Sequence, residues 1–264
     1  MTVETEEIEC AAAQLRSAQA SGTPCAPLRD YVAADDIDAG YAIQDLNTEH
    51  ALAQGRRLVG RKIGLTSRAV QGQLGVSQPD FGMLFEDMAY ADGEEVPLSR
   101  LLQPKVEGEV AFVLNKDLAG EALTLADVIG AIDYALPALE IVDSRIADWK
   151  ISIADTVADN ASSGLYVLGS RPVRLGDFDH RLCGMVIEHQ GEPLSTGAGL
   201  ACLGNPLNAT LWLAREMVRR DRPLQEGDTV LSGALGPMVT VSGPGVYELR
   251  ISGLGTVQAR FTQD

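Results

Sequence analysis

Residues 105–115, KVEGEVAFVLN, form the clearest strand in the chain. On a strand, side chains at i and i+2 leave the same face, with Cα atoms ~6.5–7 Å apart. Glu107 and Glu109 therefore project together, among Val106, Val110, Phe112 and Leu114, which draw the strand toward a sheet interior. Two carboxylates so placed repel each other and are costly to desolvate unless a cation lies between them. A hard divalent ion meets that demand, since Mg²⁺ and Mn²⁺ take oxygen ligands. An exposed E-x-E on an edge strand is the plainer alternative, because carboxylates are mostly exposed. Glu140 weighs against it. It stands in residues 136–143, LPALEIVD, an otherwise apolar run where a lone carboxylate needs a partner. A third ligand to the same ion is such a partner, and three carboxylates leave positions open for a chelating substrate.

Outward from this strand, residues 57–65, RLVGRKIGL, read as a strand ending in a turn, and residues 67–75 as a short helix. Residues 76–96, VSQPDFGMLFEDMAYADGEEV, read as a long loop, which is uncommon without a functional reason. Residues 124–136, TLADVIGAIDYAL, start with Thr124 as an N-cap and continue as an apolar helix. PALEIVDSR follows as a strand, and residues 181–197 form a hairpin turned at Gln190-Gly191. Asn205 to Val218 is helical, with Pro206 suited to its first turn. The last third returns to strands: DTVLSG, MVTV, VYELRISG and TVQARFTQ. Few helices alternate with strands there, so the class is α+β rather than a doubly wound sheet. Two helical patterns, residues 4–20 and 38–57, predict an N-terminal helical segment over 1–58 packed on a core of 59–264.

Composition bounds the function. The chain has 264 residues, 45% of them hydrophobic, enough for a sizeable core and too many for disorder. Lys+Arg number 21 against 37 Asp+Glu, a formal charge of −16. That field repels nucleic-acid backbones and anionic membranes, so neither is an expected partner. It also repels a small acidic substrate unless a metal or a placed Lys or Arg supplies positive charge. The acidic N-terminus has no basic region of a signal peptide, no apolar run approaches the ~20 residues of a membrane span, and the four cysteines lack metal-site spacing. A cytoplasmic location follows as the expectation. His50, His180 and His189 have no metal-ligand spacing and receive no catalytic role.

Lys62 ends a strand, and Asp80 lies in QPDFG on the expected loop; a surface lysine and a turn aspartate are the bland readings. Residues 155–164, DTVADNASSG, could offer donors to a substrate carboxylate, or equally form a capped turn between helix and strand.

Taken together, GRKIGLTS, QPDFG, PKVEGEVAF, AIDYALPALEIVDSR, DTVADNASSG, GNPLNATLWLA and GLGTVQARF resemble the 2-keto-4-pentenoate hydratase family, which includes the 4-oxalocrotonate decarboxylases, within the fumarylacetoacetate-hydrolase-like superfamily. The resemblance runs from about Asp38 to the C-terminus. It implies a mixed β-roll or sandwich core with peripheral helices, assembled as a homopentamer or decamer. It places divalent-metal ligands (Mg²⁺ or Mn²⁺) at Glu107, Glu109 and Glu140, catalytic groups at Lys62 and Asp80, and substrate contacts at Asp159, Asn160 and Ser162. Asn205 departs from it, since many relatives carry His there. The implied reaction is hydration of a 2-hydroxypenta-2,4-dienoate-type acid. The alternatives are decarboxylation of a 2-keto-enedioate at the same metal, hydrolysis of an acylpyruvate, and a non-catalytic subunit associated with a paralogous decarboxylase.

Overall fold

The computed structural model describes residues 5–68, 71–72 and 76–263, so the short helix expected over 67–75 falls partly outside the described residues. Two helices open the chain, α1 (Thr5–Ser21) and α2 (Ile37–Ala53). Ala11, Ala12 and Leu15 of α1 and Ala39 and Ile43 of α2 share a small apolar cluster with Ile146, Ala154 and Ala158 from later in the chain. The N-terminal helices are thus packed on the remainder. Among the described residues no helix is long and apolar enough to cross a membrane.

Thirteen strands follow among the described residues. In chain order the first six are β1 (Leu58–Gly64), β2 (Asp80–Phe85), β3 (Ala89–Ala91), β4 (Glu95–Pro97), β5 (Lys105–Leu114) and β6 (Ile132–Val142). Next come β7 (Ser163–Leu168), β8 (Gly184–His189), β9 (Glu192–Ala198) and β10 (Thr229–Leu231). The last are β11 (Val239–Thr240), β12 (Gly245–Ile251) and β13 (Gly255–Thr262). Further helices among the described residues are α3 (Leu125–Ala131), α4 (Ile153–Ala158) and α5 (Pro206–Arg219). The strands make two sheets: an eight-stranded one ordered β2-β1-β10-β5-β6-β7-β3 with β11 on β5, and a five-stranded one ordered β4-β13-β12-β8-β9. Helices at the periphery of two curled sheets match the expected α+β class.

The sheets pack face to face. Gly108 on β5 shows how closely: a Cβ there would lie 2.6 Å from Leu249 Cδ1 on β12. Because side chains alternate across a strand, Glu107 and Glu109 leave the opposite face of β5. That face is enclosed by the curl of the eight-stranded sheet itself. β1 and β6 stand three strands apart, ~14 Å in a flat sheet, yet Lys62 Nζ on β1 lies 2.8 Å from Glu140 Oε1 on β6.

Two expectations are corrected. The helix expected over 124–136 stops at Ala131, and Ile132–Val142 is strand. Thr124 does cap the helix, its hydroxyl accepting from Asp127 N, but Ala135 and Leu136 lie opposite Phe112 and Ala111 in the β5–β6 ladder. Pairing with a fully buried neighbour overrides the local helical pattern. The expected loop over 76–96 contains β2, β3 and β4. All six residues of β2 are buried, so the segment lacks the polar–apolar alternation that marks a half-exposed strand. The Gln190-Gly191 hairpin forms as expected, with both residues at positive φ. Asn205 caps α5 by accepting from Leu207 N, and Pro206 follows in the first turn.

Candidate active site

The ladder between β5 and β6 builds the acidic centre. Glu107 stands directly opposite Glu140, and Glu109 lies two residues further along β5, on the same face. One carboxylate oxygen from each of the three lies within 4.8 Å of the others. Glu109 and Glu140 are 0% and 1% exposed, and Glu107 is half-buried. Glu109 Oε2 accepts from Gly233 N at 2.8 Å, while Glu109 Oε1 and Glu140 Oε2 are buried with no hydrogen-bond partner. Buried carboxylate oxygens are normally paired, so orphaned ones that converge on one point fit a hard cation with oxygen ligands. The residues present therefore suit a divalent ion.

Lys62 and Asp80 join this centre from the other end of the sheet. In the β1–β2 ladder Lys62 pairs with Gly82 and Gly64 with Asp80, so Lys62 and Asp80 are diagonal neighbours on one face. Both are almost fully buried. Lys62 reaches Glu140, whereas both carboxylate oxygens of Asp80 lack a hydrogen-bond partner. Gly64 makes room for that carboxylate, since a Cβ there would lie 2.2 Å from Asp80 Oδ1.

Protonation follows from this crowding. Burial, reinforced by Glu140, pushes the Glu107 carboxyl up to about 7. Burial, with Glu140 and Glu107 adding repulsion, holds Glu109 well above the ordinary carboxylate range. Asp80 rises to about 6, again through burial, against the opposing pull of Lys62. Burial disfavours the Lys62 ammonium, but Glu140, Asp80 and Glu107 outweigh it and keep the charge above the usual lysine range. The Lys62 cation thus stands beside proton-hungry carboxylates in a largely buried centre.

The 155–164 segment divides. Asp159 is buried and spent on Arg145, accepting from the guanidinium and from Arg145 N. Burial pushes its carboxyl up to about 6, against Arg145. Asn160 makes two bonds with the main chain of Met83. The Ser162 hydroxyl is buried without a partner. Asp159 and Asn160 thus hold the fold together, and Ser162 keeps a free donor.

Some participants carry no signal in the sequence. Gly233, which donates to Glu109, follows β10, a strand far along the chain that inserts between β1 and β5. Its φ of 107° is open to glycine and rare for other residues, and a Cβ there would strike the Thr66 side chain. The DTVLSG motif suggested only a strand. Cys202 Sγ donates to Ser232 O at 2.9 Å beside the same corner. A large cleft of about 900 Å³, lined by residues such as Arg171, Met185, Arg250 and Thr256, includes none of these groups.

The profile of the fumarylacetoacetate (FAA) hydrolase C-terminal family matches residues 46–262. The chain is 61% identical over 262 residues to the TodF product hydratase of Pseudomonas putida, covering 99% of this chain and 98% of that protein. It is 61% identical over 253 residues to 2-keto-4-pentenoate hydratase 2 of Dechloromonas aromatica, covering 96% and 97%. Among solved structures it is similar to a 4-oxalocrotonate decarboxylase from Pseudomonas putida G7, complexed with magnesium and adipate. The TM-score is 0.93 at 33% identity, over 99% of both chains.

Proposed function

The chain belongs to the fumarylacetoacetate hydrolase C-terminal family, and from that premise we propose that it adds water to a 2-hydroxypenta-2,4-dienoate, giving a 4-hydroxy-2-oxo acid. The observation that carries this reading is the carboxylate cage of Glu107, Glu109 and Glu140 with Lys62 and Asp80 on its rim. Full-length relatives at about 60% identity are named hydratases, which favours this reaction at that cage.

Glu107, Glu109 and Glu140 would hold Mg²⁺ or Mn²⁺; a neighbouring decarboxylase structure holds magnesium, and a fumarylpyruvate hydrolase of the same fold holds Mn²⁺. Such an ion supplies a Lewis acid that neutralises the substrate's acid group inside a strongly anionic protein. The protein's own residues do the rest. The Lys62 ammonium donates to the oxygen on C2 or to the substrate carboxylate. Asp80, poised near neutrality, moves the protons: it carries the C2 hydroxyl proton to C5, turning the dienol into a 2-oxo-3-enoate, then takes one from the water that adds at C4 and delivers it to C3. Ser162 offers its unpartnered hydroxyl to the substrate. The largely buried surroundings strengthen each of these contacts.

Decarboxylation of a 2-keto-enedioate is the second reading, favoured by the whole-chain likeness to the decarboxylase. Mass balance separates the two, because one route adds a water and the other releases CO₂. The exposed Leu182, Leu194, Leu200 and Met238 are the kind of surface that a homopentamer or decamer, or a paralogous decarboxylase, would cover. Light scattering of the purified chain tests the first, and co-purification the second. The function itself is tested by adding Mg²⁺ or Mn²⁺ and following dienol absorbance. Loss of the dienol with gain of one water supports hydration, and a dienol untouched at any metal concentration rejects it.

A further inference from the structure

β2 carries Asp80, yet it lies at the end of its sheet, with a strand partner on one side only. Phe81, Met83 and Phe85 direct main-chain groups away from β1, and such groups at a sheet edge ordinarily face solvent or another strand. Side chains take that place here. Gln44 on α2, 1% exposed, donates from Nε2 to Phe81 O and to Val157 O, both at 2.9 Å. Asn160 Oδ1 accepts from Met83 N at 2.7 Å, and its Nδ2 donates to Met83 O at 2.9 Å. One carboxamide thus makes both bonds that a neighbouring strand would make. Gly82 leaves room for it, since a Cβ there would lie 2.3 Å from Asn160 O.

Asn160 is presented by an unusual turn. Asn160, Ala161 and Ser162 have φ of 54°, 51° and 52°. Three consecutive L residues in the left-handed region are unfavourable and persist only where the surroundings over-determine them. Arg145 does so, its guanidinium donating to the Asp159 carboxylate, to Asp159 O and to Ser163 O. Asp143 N donates to Ser162 O, and Ser163 Oγ to Asn160 O. The strained turn therefore delivers a rigid carboxamide to the free edge of the strand that bears Asp80.

We infer that Asn160 and Gln44 are positioning residues, which clamp the open edge of β2 and so set Asp80 against Lys62 and the carboxylate cage. The inference rests on the proposed hydratase reading and adds to it a device outside the carboxylate cage. The test compares the whole chain with Asn160→Ala and Gln44→Met, measuring Mn²⁺ affinity, kcat, substrate KM and thermal melting. The clamped strand carries Asp80 and none of the three glutamates, so kcat should fall about tenfold to a hundredfold, the usual consequence of a misplaced reacting group. Mn²⁺ affinity and KM should stay within about threefold of the unaltered chain. Unchanged kcat in folded variants overturns the inference. So does a parallel loss of kcat and Mn²⁺ affinity, the mark of a merely structural role. If Asn160→Ala fails to fold, Gln44→Met decides by the same criteria. An unaltered chain that ignores the dienol sinks the hydratase reading instead, so the two failures are distinguishable.

Discussion

Gly64→Ala acts chiefly on the placement of Asp80, since the added methyl would lie in ordinary contact with Lys62 Nζ, at 3.5 Å, and far closer to Asp80. Gly64 does not occupy the left-handed region, so the substitution brings no backbone penalty and tests space alone. The added methyl would lie 2.2 Å from Asp80 Oδ1, against ordinary contacts of 3.4–4 Å, so the carboxylate must retreat by roughly 1 Å. A displacement of about 1 Å at a reacting group costs on the order of 100-fold in rate, or ~2.7 kcal/mol of barrier. Crowding a packed interior costs a further ~1–3 kcal/mol of stability. The assay is steady-state loss of dienol absorbance at saturating Mg²⁺, with Mn²⁺ titration and urea unfolding alongside. The expected result is a large drop in kcat, a modest loss of stability and metal affinity close to normal, because the methyl meets Asp80 and not the three glutamates. A kcat within about threefold of normal in a variant of normal stability would refute the reasoning, since Asp80 would then have no fixed seat that matters.

Glu107→Gln should weaken Mn²⁺ binding about 10²-fold or more while leaving the fold intact, read by calorimetric titration; undiminished affinity would remove Glu107 from the ligand set. Metal affinity should rise with pH through about 7, with protons released on binding, because Glu107 must lose its proton near that value and burial holds Glu109 well above the ordinary carboxylate range too. Metal-free stability should run the other way: Asp80 and Glu107 have folded values of about 6 and 7, above ordinary carboxylate values near 4. Their contribution is therefore present below about pH 4 and lost as pH rises through about 6 to 7, a trend that melting curves with excess metal should flatten. Lys62→Met removes the cation beside Glu140 and should cost ~3–5 kcal/mol without metal, as breaking a buried pair does, with bound metal recovering part of it.

The acidic centre was legible because it depends on local rules. The two-residue period of a strand puts Glu107 and Glu109 on one face, and an apolar run around Glu140 marks a carboxylate that needs a partner. The meeting of Lys62 with Glu140 was not legible, since it arises from the curl of a sheet whose strands are not sequence neighbours. Nor was β2, because a strand buried on both faces loses alternation, and its Gly82 with the preceding Pro79 imitates a loop. The 155–164 string could be read as ligand donors or as a turn. The structure gives Asp159 and Asn160 internal partners that lie far off in sequence or in the main chain, which composition does not encode. Helix α3 stops where pairing with β5 begins, a tertiary demand on a segment whose own pattern favours helix.

The place of β10 has a consequence for synthesis of the chain. Glu107, Glu109, Glu140, Lys62 and Asp80 have all been made by residue 142, yet the strand that joins the two halves of their sheet spans Thr229–Leu231. A nascent chain therefore carries the β1–β2 and β5–β6 ladders as separate pieces for some ninety residues of elongation. Until the late strand arrives, Lys62 and Asp80 on β1 and β2 have no strand to join them to the three glutamates of the β5–β6 ladder, so the full set closes only when the chain is nearly complete.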